Sequence, residues 1–152
     1  MKTLLSLEDI LAQWAEDAKF DENNLDSETI KTSRLHAKYL EMFSLYKLQL
    51  RKNKVKGDII KKDKQLYYSG KMSKAEMDKR DWDYDPFSGC SKPLKSDLDN
   101  WYNADPDLIK LNDKLEYIKV IIETLDDIIQ TLRWRHTHVK NVLEWKKFIN
   151  GN

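Results

Sequence analysis

Eight aliphatic residues, Leu108, Leu111, Leu115, Ile118, Ile122, Leu125, Ile129 and Leu132, follow one another at spacings of 3, 4, 3, 4, 3, 4 and 3. Only an α-helix returns side chains to one face at that interval. Sustained over more than three heptads, it specifies a seam packed against other helices. Val120, Ile121 and Ile128 widen the stripe, so more than one neighbour is expected. Asp105-Pro106, an N-cap acid before a first-turn proline, marks the start. Beyond Leu132 the stripe breaks at His136 and resumes as Val139, Val142, Leu143, Trp145, Phe148 and Ile149, ahead of Gly151. A long helix over 105–149 is predicted. Its last, basic and aromatic part carries more apolar surface than a lone helix leaves wet, which points to subunit contact through Leu132, Val139, Val142, Leu143, Trp145, Phe148 and Ile149, or equally to packing within the chain.

Only four glycines and three prolines punctuate 152 residues, so the remaining elements are also few and long. Ser6 is a plausible N-cap for an amphipathic helix ending near Lys19, with Leu7, Ile10, Leu11, Trp14, Ala15 and Ala18 on one face. Asp26 or Ser27 is expected to cap a second helix running to Tyr68. Its apolar stripe is broad in the first half and thin in the second, so the basic second half is expected to project. Gly57 marks where a bend or break is possible. Ser73 to Glu76 has the form of a capping box and predicts a short helix over 73–80. Residues 81–104, rich in Pro, Gly, Ser and Asp, read as an acidic, aromatic contact loop. The fold class is all-α: a single domain over 1–152, long helices forming a hairpin or bundle core, and an oligomerising C-terminal helix.

The net charge of +1 conceals strong sorting. Residues 1–46 carry −4, 47–80 carry +8, 81–130 carry −7 and 131–152 carry +4. Within the basic block, Lys47, Arg51, Lys52, Lys54, Lys56, Lys61, Lys62 and Lys64 face only Asp58 and Asp63, and a tyrosine pair and Ser69-Gly70 follow. A lysine run on a helix is often no more than a solvated face. Here ammonium groups for phosphates lie beside rings able to stack on unpaired bases, which is the chemistry of a single-strand nucleic-acid site. The candidate contacts are Lys54, Lys56, Lys61, Lys62, Lys64, Tyr67, Tyr68 and Lys71, although both tyrosines serve equally well as core residues closing the helix.

Catalytic and cofactor signatures are missing. There is no P-loop and no GxGxxG, and His36, His136 and His138 are scattered. Cys90 is the lone cysteine and has no histidine beside it. It forms no intrachain disulfide, which fits a reducing compartment. Asp81, Asp83 and Asp85 alternate like the opening of a calcium loop, but Pro86 stands where that loop needs glycine and Lys92 where it needs glutamate. No catalytic residue, metal ligand or cofactor is expected. No apolar run spans a membrane, and the N-terminus lacks a signal-peptide cleavage site, so a cytosolic protein is expected. A helical adaptor that binds a partner helix is the alternative to nucleic-acid binding; a metal-dependent nuclease built on Asp81, Asp83 and Asp85 is a distant third.

Leu7-Glu8-Asp9 in the first helix, a lysine-rich helix closing on Tyr67-Tyr68-Ser69-Gly70, and a long last helix leading to Val139-Lys140-Asn141 together resemble the UvsY-type phage recombination mediators. The similarity runs over most of the chain. It implies an all-helical protein that binds single-stranded DNA and loads a recombinase onto strands covered by single-strand binding protein, in recombination-dependent replication and repair. It implies three kinds of partner, namely single-stranded DNA, the recombinase and the single-strand binding protein. It also implies a homo-oligomeric ring, hexamer or heptamer, built with the C-terminal helix, and action in the host cytoplasm. The family's Lys-x-Arg-Leu segment, implicated in DNA binding, corresponds to Lys62-Asp63-Lys64-Gln65. Lysine in place of arginine keeps the charge but loses bidentate phosphate contact and guanidinium stacking.

Overall fold

The computed structural model describes residues 4–151. Among them, helices Leu7–Asp17 (α1), Leu25–Tyr68 (α2), Lys74–Arg80 (α3), Leu98–Asn103 (α4) and Pro106–Ile149 (α5) follow one another, with no strand. The all-α expectation holds. The single domain expected over 1–152 sorts into two compact units, to each of which α2 and α5 contribute: one takes the chain up to Leu48 and from Lys119 onward, the other is Gln49–Ile118.

In the first unit, α1 opens on a true capping box. Ser6 Oγ accepts the Asp9 N–H at 3.1 Å, and the Asp9 carboxylate accepts the Ser6 N–H at 3.3 Å. Ile10, Leu35, Tyr39, Tyr46, Ile121, Leu125, Ile128, Ile129 and Leu132 are buried. Trp14 meets the Tyr39 ring edge-on, with centroids 5.5 Å apart. Tyr39 then needs a polar partner for its buried hydroxyl, and Asp17 accepts it at 2.9 Å while also accepting Lys38 Nζ at 2.6 Å. Burial raises the Asp17 carboxyl, but the bonds from Lys38 and Tyr39 bring it below its ordinary value.

Arg135 closes this unit. Buried over Phe20, it donates to the carbonyls of Asp17 at 3.2 Å and Lys19 at 2.9 Å, and to Glu28 Oε2 at 2.9 Å. One guanidinium thus satisfies carbonyls left open at the end of α1 and neutralises a buried glutamate. Helix α2 begins at Leu25, ahead of the expected Asp26 or Ser27 cap, with Asp26 in its first turn.

In the second unit, α2 runs unbroken through Gly57. A β-carbon there would lie 3.0 Å from Leu111 Cδ2, so glycine serves close approach of α5 and not a bend. Gly57 faces Leu111 and Lys64 faces Asp105, so the two helix segments run antiparallel. Leu108, Leu111 and Leu115 are buried with Leu50 and Ile60 against them, as the leucine spacing predicts. Val120, expected to widen the stripe, belongs to the first unit and is 45% exposed.

The basic half of α2 does not project. Gly57, Ile60, Lys64, Tyr67 and Tyr68 form an inward stripe whose one polar member hides the pattern in the sequence. Tyr67-Tyr68-Ser69-Gly70 is a helix stop: Gly70 takes φ 73°, its N–H bonds the Tyr67 carbonyl, and the Lys71 N–H bonds Leu66.

The capping box expected at Ser73 is half present, with Ser73 Oγ accepting the Glu76 N–H at 3.3 Å. Residues 81–104 are neither a plain loop nor an outward aromatic surface. They contain α4, which has no side-chain cap bond, and they turn Phe87, Trp82, Trp101 and Tyr102 onto Tyr67, Tyr68 and Met77 as a second core. Aromatic area of this size is worth more buried against rings than exposed.

Replacing Gly57 by Val is expected to destabilise the protein by about 1–3 kcal/mol through overpacking on Leu111. In urea unfolding, the Gly57→Val/Leu111→Ala double variant should lose less than the two single changes combined.

Candidate nucleic-acid interface

The structure divides the expected contact residues. Lys54, Lys56, Lys62 and Lys71 are exposed and Lys61 half-buried, and among the described residues none of the five has an ion-pair partner. Lys54 and Lys61, seven residues apart, share one flank of α2 with Lys62 nearby, while Lys56 lies on the other flank. Lys64, Tyr67 and Tyr68 are buried, at 4%, 6% and 8% exposure. These three hold the unit together and are not open to a strand.

The Lys64 ammonium sits 2.9 Å from Asp105 Oδ2 and 2.8 Å from Asp107 Oδ2. It lies 3.9 Å from the centroid of Trp82 and 5.6 Å from that of Tyr67. Tyr68 donates its hydroxyl to Asp105 Oδ2 at 2.8 Å, and Asp105 Oδ1 accepts the N–H groups of Asp107 and Leu108 at 2.9 and 3.2 Å. Asp105 is therefore at once the N-cap of α5, which the Asp-Pro pair foretold, and the counter-ion of a buried lysine. Burial pushes its carboxyl up; Lys64, Tyr68 and the Leu108 N–H more than reverse this and hold it below the ordinary aspartate value. Burial, then the bond to Asp105, raises the Tyr68 hydroxyl. Tyr67 is likewise raised by burial and the nearby aspartates, and donates to the Asp83 carbonyl at 2.9 Å.

Beside this network lies an open groove of about 470 Å³. Ile60, Leu111 and the partly exposed indole of Trp82 supply apolar lining, and Lys56, Lys110 and Lys114 supply charge. The acids that reach it are already engaged: Asp63 accepts Arg80 at 2.8 Å and Asp107 accepts Lys64. The sequence reading missed Trp82, Lys110 and Lys114. Lys110 and Lys114 stand outside the basic block, in a segment of net negative charge, and only their i, i+4 spacing would have paired them.

Asp81, Asp83 and Asp85 do not gather. The Asp85 carboxylate is spent on the N–H groups of Phe87 at 2.9 Å and Gly89 at 2.6 Å, which lower its proton affinity. Among the described residues no three His, Cys, Asp or Glu side chains are grouped to hold a metal, and no helix is long and apolar enough to cross a membrane. Of the residues expected at a subunit contact, Leu132 is buried within its own unit at 2% exposure. Val139 and Val142 are half-buried; Leu143, Trp145, Phe148 and Ile149 are exposed, with Trp145 stacked on Phe148 at 5.8 Å between centroids.

A family model described as "Recombination, repair and ssDNA binding protein UvsY" matches residues 13–152. The chain belongs to the UvsY family. The recombination protein uvsY of Enterobacteria phage T4 is 22% identical over 147 residues, covering 97% of this chain and 99% of that protein. Two crystal forms of the bacteriophage T4 recombination mediator protein UvsY have the same fold. One superposes with a TM-score of 0.81 at 20% identity, over 96% of this chain and 98% of that one. The other gives 0.77 at 19% identity, over 95% and 98%.

Within the segment Lys62-Asp63-Lys64-Gln65, Lys62 is thus exposed, Asp63 is bound to Arg80, and Lys64 is in the interior. Because the Asp105 carboxyl is held below its ordinary value, its contribution to stability is present above about pH 4 and lost as pH falls further. Near-ultraviolet circular dichroism of the aromatic core should report that acid loss. Asp105→Asn should flatten the loss, while lowering stability at neutral pH by about 3–5 kcal/mol by leaving Lys64 short of a partner.

Proposed function

We propose that this protein binds single-stranded DNA and acts as a recombination mediator, assisting a recombinase to load onto strands covered by single-strand binding protein. The observation that carries the reading is the set of uncompensated lysines on one unit, Lys54, Lys56, Lys61, Lys62 and Lys71, in a member of a family described as recombination, repair and ssDNA binding. Each such ammonium that meets a phosphate releases a counterion, so affinity comes from the number of contacts and falls steeply with salt. Sequence-independent binding of this kind suits a mediator, which must act wherever a strand is exposed.

A homo-oligomer supplies the rest of the mechanism. Trp145, Phe148 and Ile149 lie on one side of α5 and present an exposed apolar face that supports contact between copies. Several basic surfaces joined in a ring raise the effective concentration of the second and later contacts, worth about 10²–10⁴ in avidity with no new kind of interaction. A strand held by many weak contacts is released stepwise, which allows handover to the recombinase. The weak grip of each subunit is thus what permits transfer.

Lys54→Ala/Lys61→Ala/Lys62→Ala should fold normally, and its plot of log affinity against log salt should flatten by about 0.7 for each lost contact. Lys64→Ala should instead lower the melting temperature. Fluorescence anisotropy with short oligonucleotides, beside thermal melts, separates the two; unchanged binding by the triple variant would sink the reading. For assembly, Trp145→Lys/Phe148→Lys should reduce the mass seen by light scattering and weaken binding to long strands more than to short ones. A chain that is monomeric and indifferent to oligonucleotides would favour the adaptor.

A further inference from the structure

The groove of the second unit carries charge that nothing within the fold uses. Lys110 and Lys114 stand one helical turn apart on α5 and Lys56 approaches from α2; among the described residues none has an ion-pair partner or a hydrogen bond from its ammonium. The two carboxylates in the lining are each closed by a cation of their own, Asp63 by Arg80 and Asp107 by Lys64. Asp113 and Glu116 of the same helix do not line it. Three ammonium groups are therefore left facing one open space.

Beneath them the surface is apolar. Ile60, Leu111 and the indole of Trp82 supply it. Trp82 is held in place by the Lys64 ammonium at 3.9 Å, the Tyr67 ring at 5.0 Å and the Arg80 guanidinium at 5.7 Å from its ring centroid. A cationic rim over an apolar, aromatic floor matches a ligand with regularly spaced anions and flat hydrophobic faces between them, which is a single polynucleotide strand with its bases unstacked. A free phosphate would leave the floor unused, and a duplex would hide the base faces.

We propose that this groove is a second seat for the single strand, with Lys110 and Lys114 sharing one phosphate, Lys56 meeting another and a base lying against Trp82. The strand then runs on both flanks of α2, with Lys54 and Lys61 on one and the groove on the other, and Lys56 belongs with α5 and not with the run in which the sequence places it. The seat rests on the reading of the protein as a single-strand binder.

The test compares three full-length proteins by anisotropy of labelled oligothymidylate over a salt series: the wild type, Lys110→Ala/Lys114→Ala, and Lys19→Ala/Lys95→Ala, which removes the same charge elsewhere. The groove variant is expected to bind several-fold more weakly, with a log–log salt slope smaller by about 0.7 if the two lysines share one phosphate. The control pair should stay near wild type, and photocrosslinking with iodouracil-substituted strands should mark Trp82. Wild-type binding that the groove variant keeps in full, or that the control pair loses equally, overturns the groove and leaves single-strand binding standing. A wild type that binds no strand at all overturns both.

Discussion

The second unit depends on one buried positive charge. An ammonium taken out of water costs several kcal/mol unless its lost hydration is replaced group for group. Around Lys64 the replacement is full: two carboxylates under 3 Å and the faces of two aromatic rings. Each partner is fixed by something else. Asp105 is fixed because it caps α5, Trp82 because it packs on Tyr67, and Tyr68 because its hydroxyl reaches Asp105. The lysine thereby ties the end of α2, the start of α5 and the segment after α3 into a single arrangement, with little freedom for any of them to shift alone.

That arrangement also sorts the charges of the basic block into two classes. Lys64 is structural, and its removal acts on folding. The lysines around it stay in water, hold no carboxylate and are available to an external anion. Of the acids near them, Asp63 is taken by Arg80 and Asp107 by Lys64 itself, while Asp58 stays exposed among them. The fold therefore spends two of the nearby carboxylates internally, and the exposed lysines outnumber the one acid left beside them.

Much of this was legible from residues alone where the determinant is local. The leucine spacing from Leu108 to Leu132 gives α5 and its inward face, Ser6 gives the start of α1, and Asp105-Pro106 gives the cap of α5. What stayed hidden depends on partners remote in the chain. Lys64 is one more lysine until Asp105 is beside it, although its place at helical spacing from Gly57, Ile60, Tyr67 and Tyr68 was a clue to which face it occupies. Gly57 reads as a weak point because its neighbour Leu111 belongs to another helix. Six residues with no cap, Leu98–Asn103, are too few for periodicity to show, and the aromatics around them look outward until a second cluster exists to receive them.

Arg135 carries a consequence for how the two units are closed. The carbonyls and carboxylate that it serves lie between Asp17 and Glu28, more than one hundred residues earlier in the chain. Everything that the second unit needs, from Gln49 to Ile118, lies in one continuous stretch that precedes this arginine in the chain. Loop-closure entropy falls hardest on contacts so far apart. The second unit is thus closed within one continuous stretch of chain, whereas the first helix and the early part of α2 are completed by a segment that follows it.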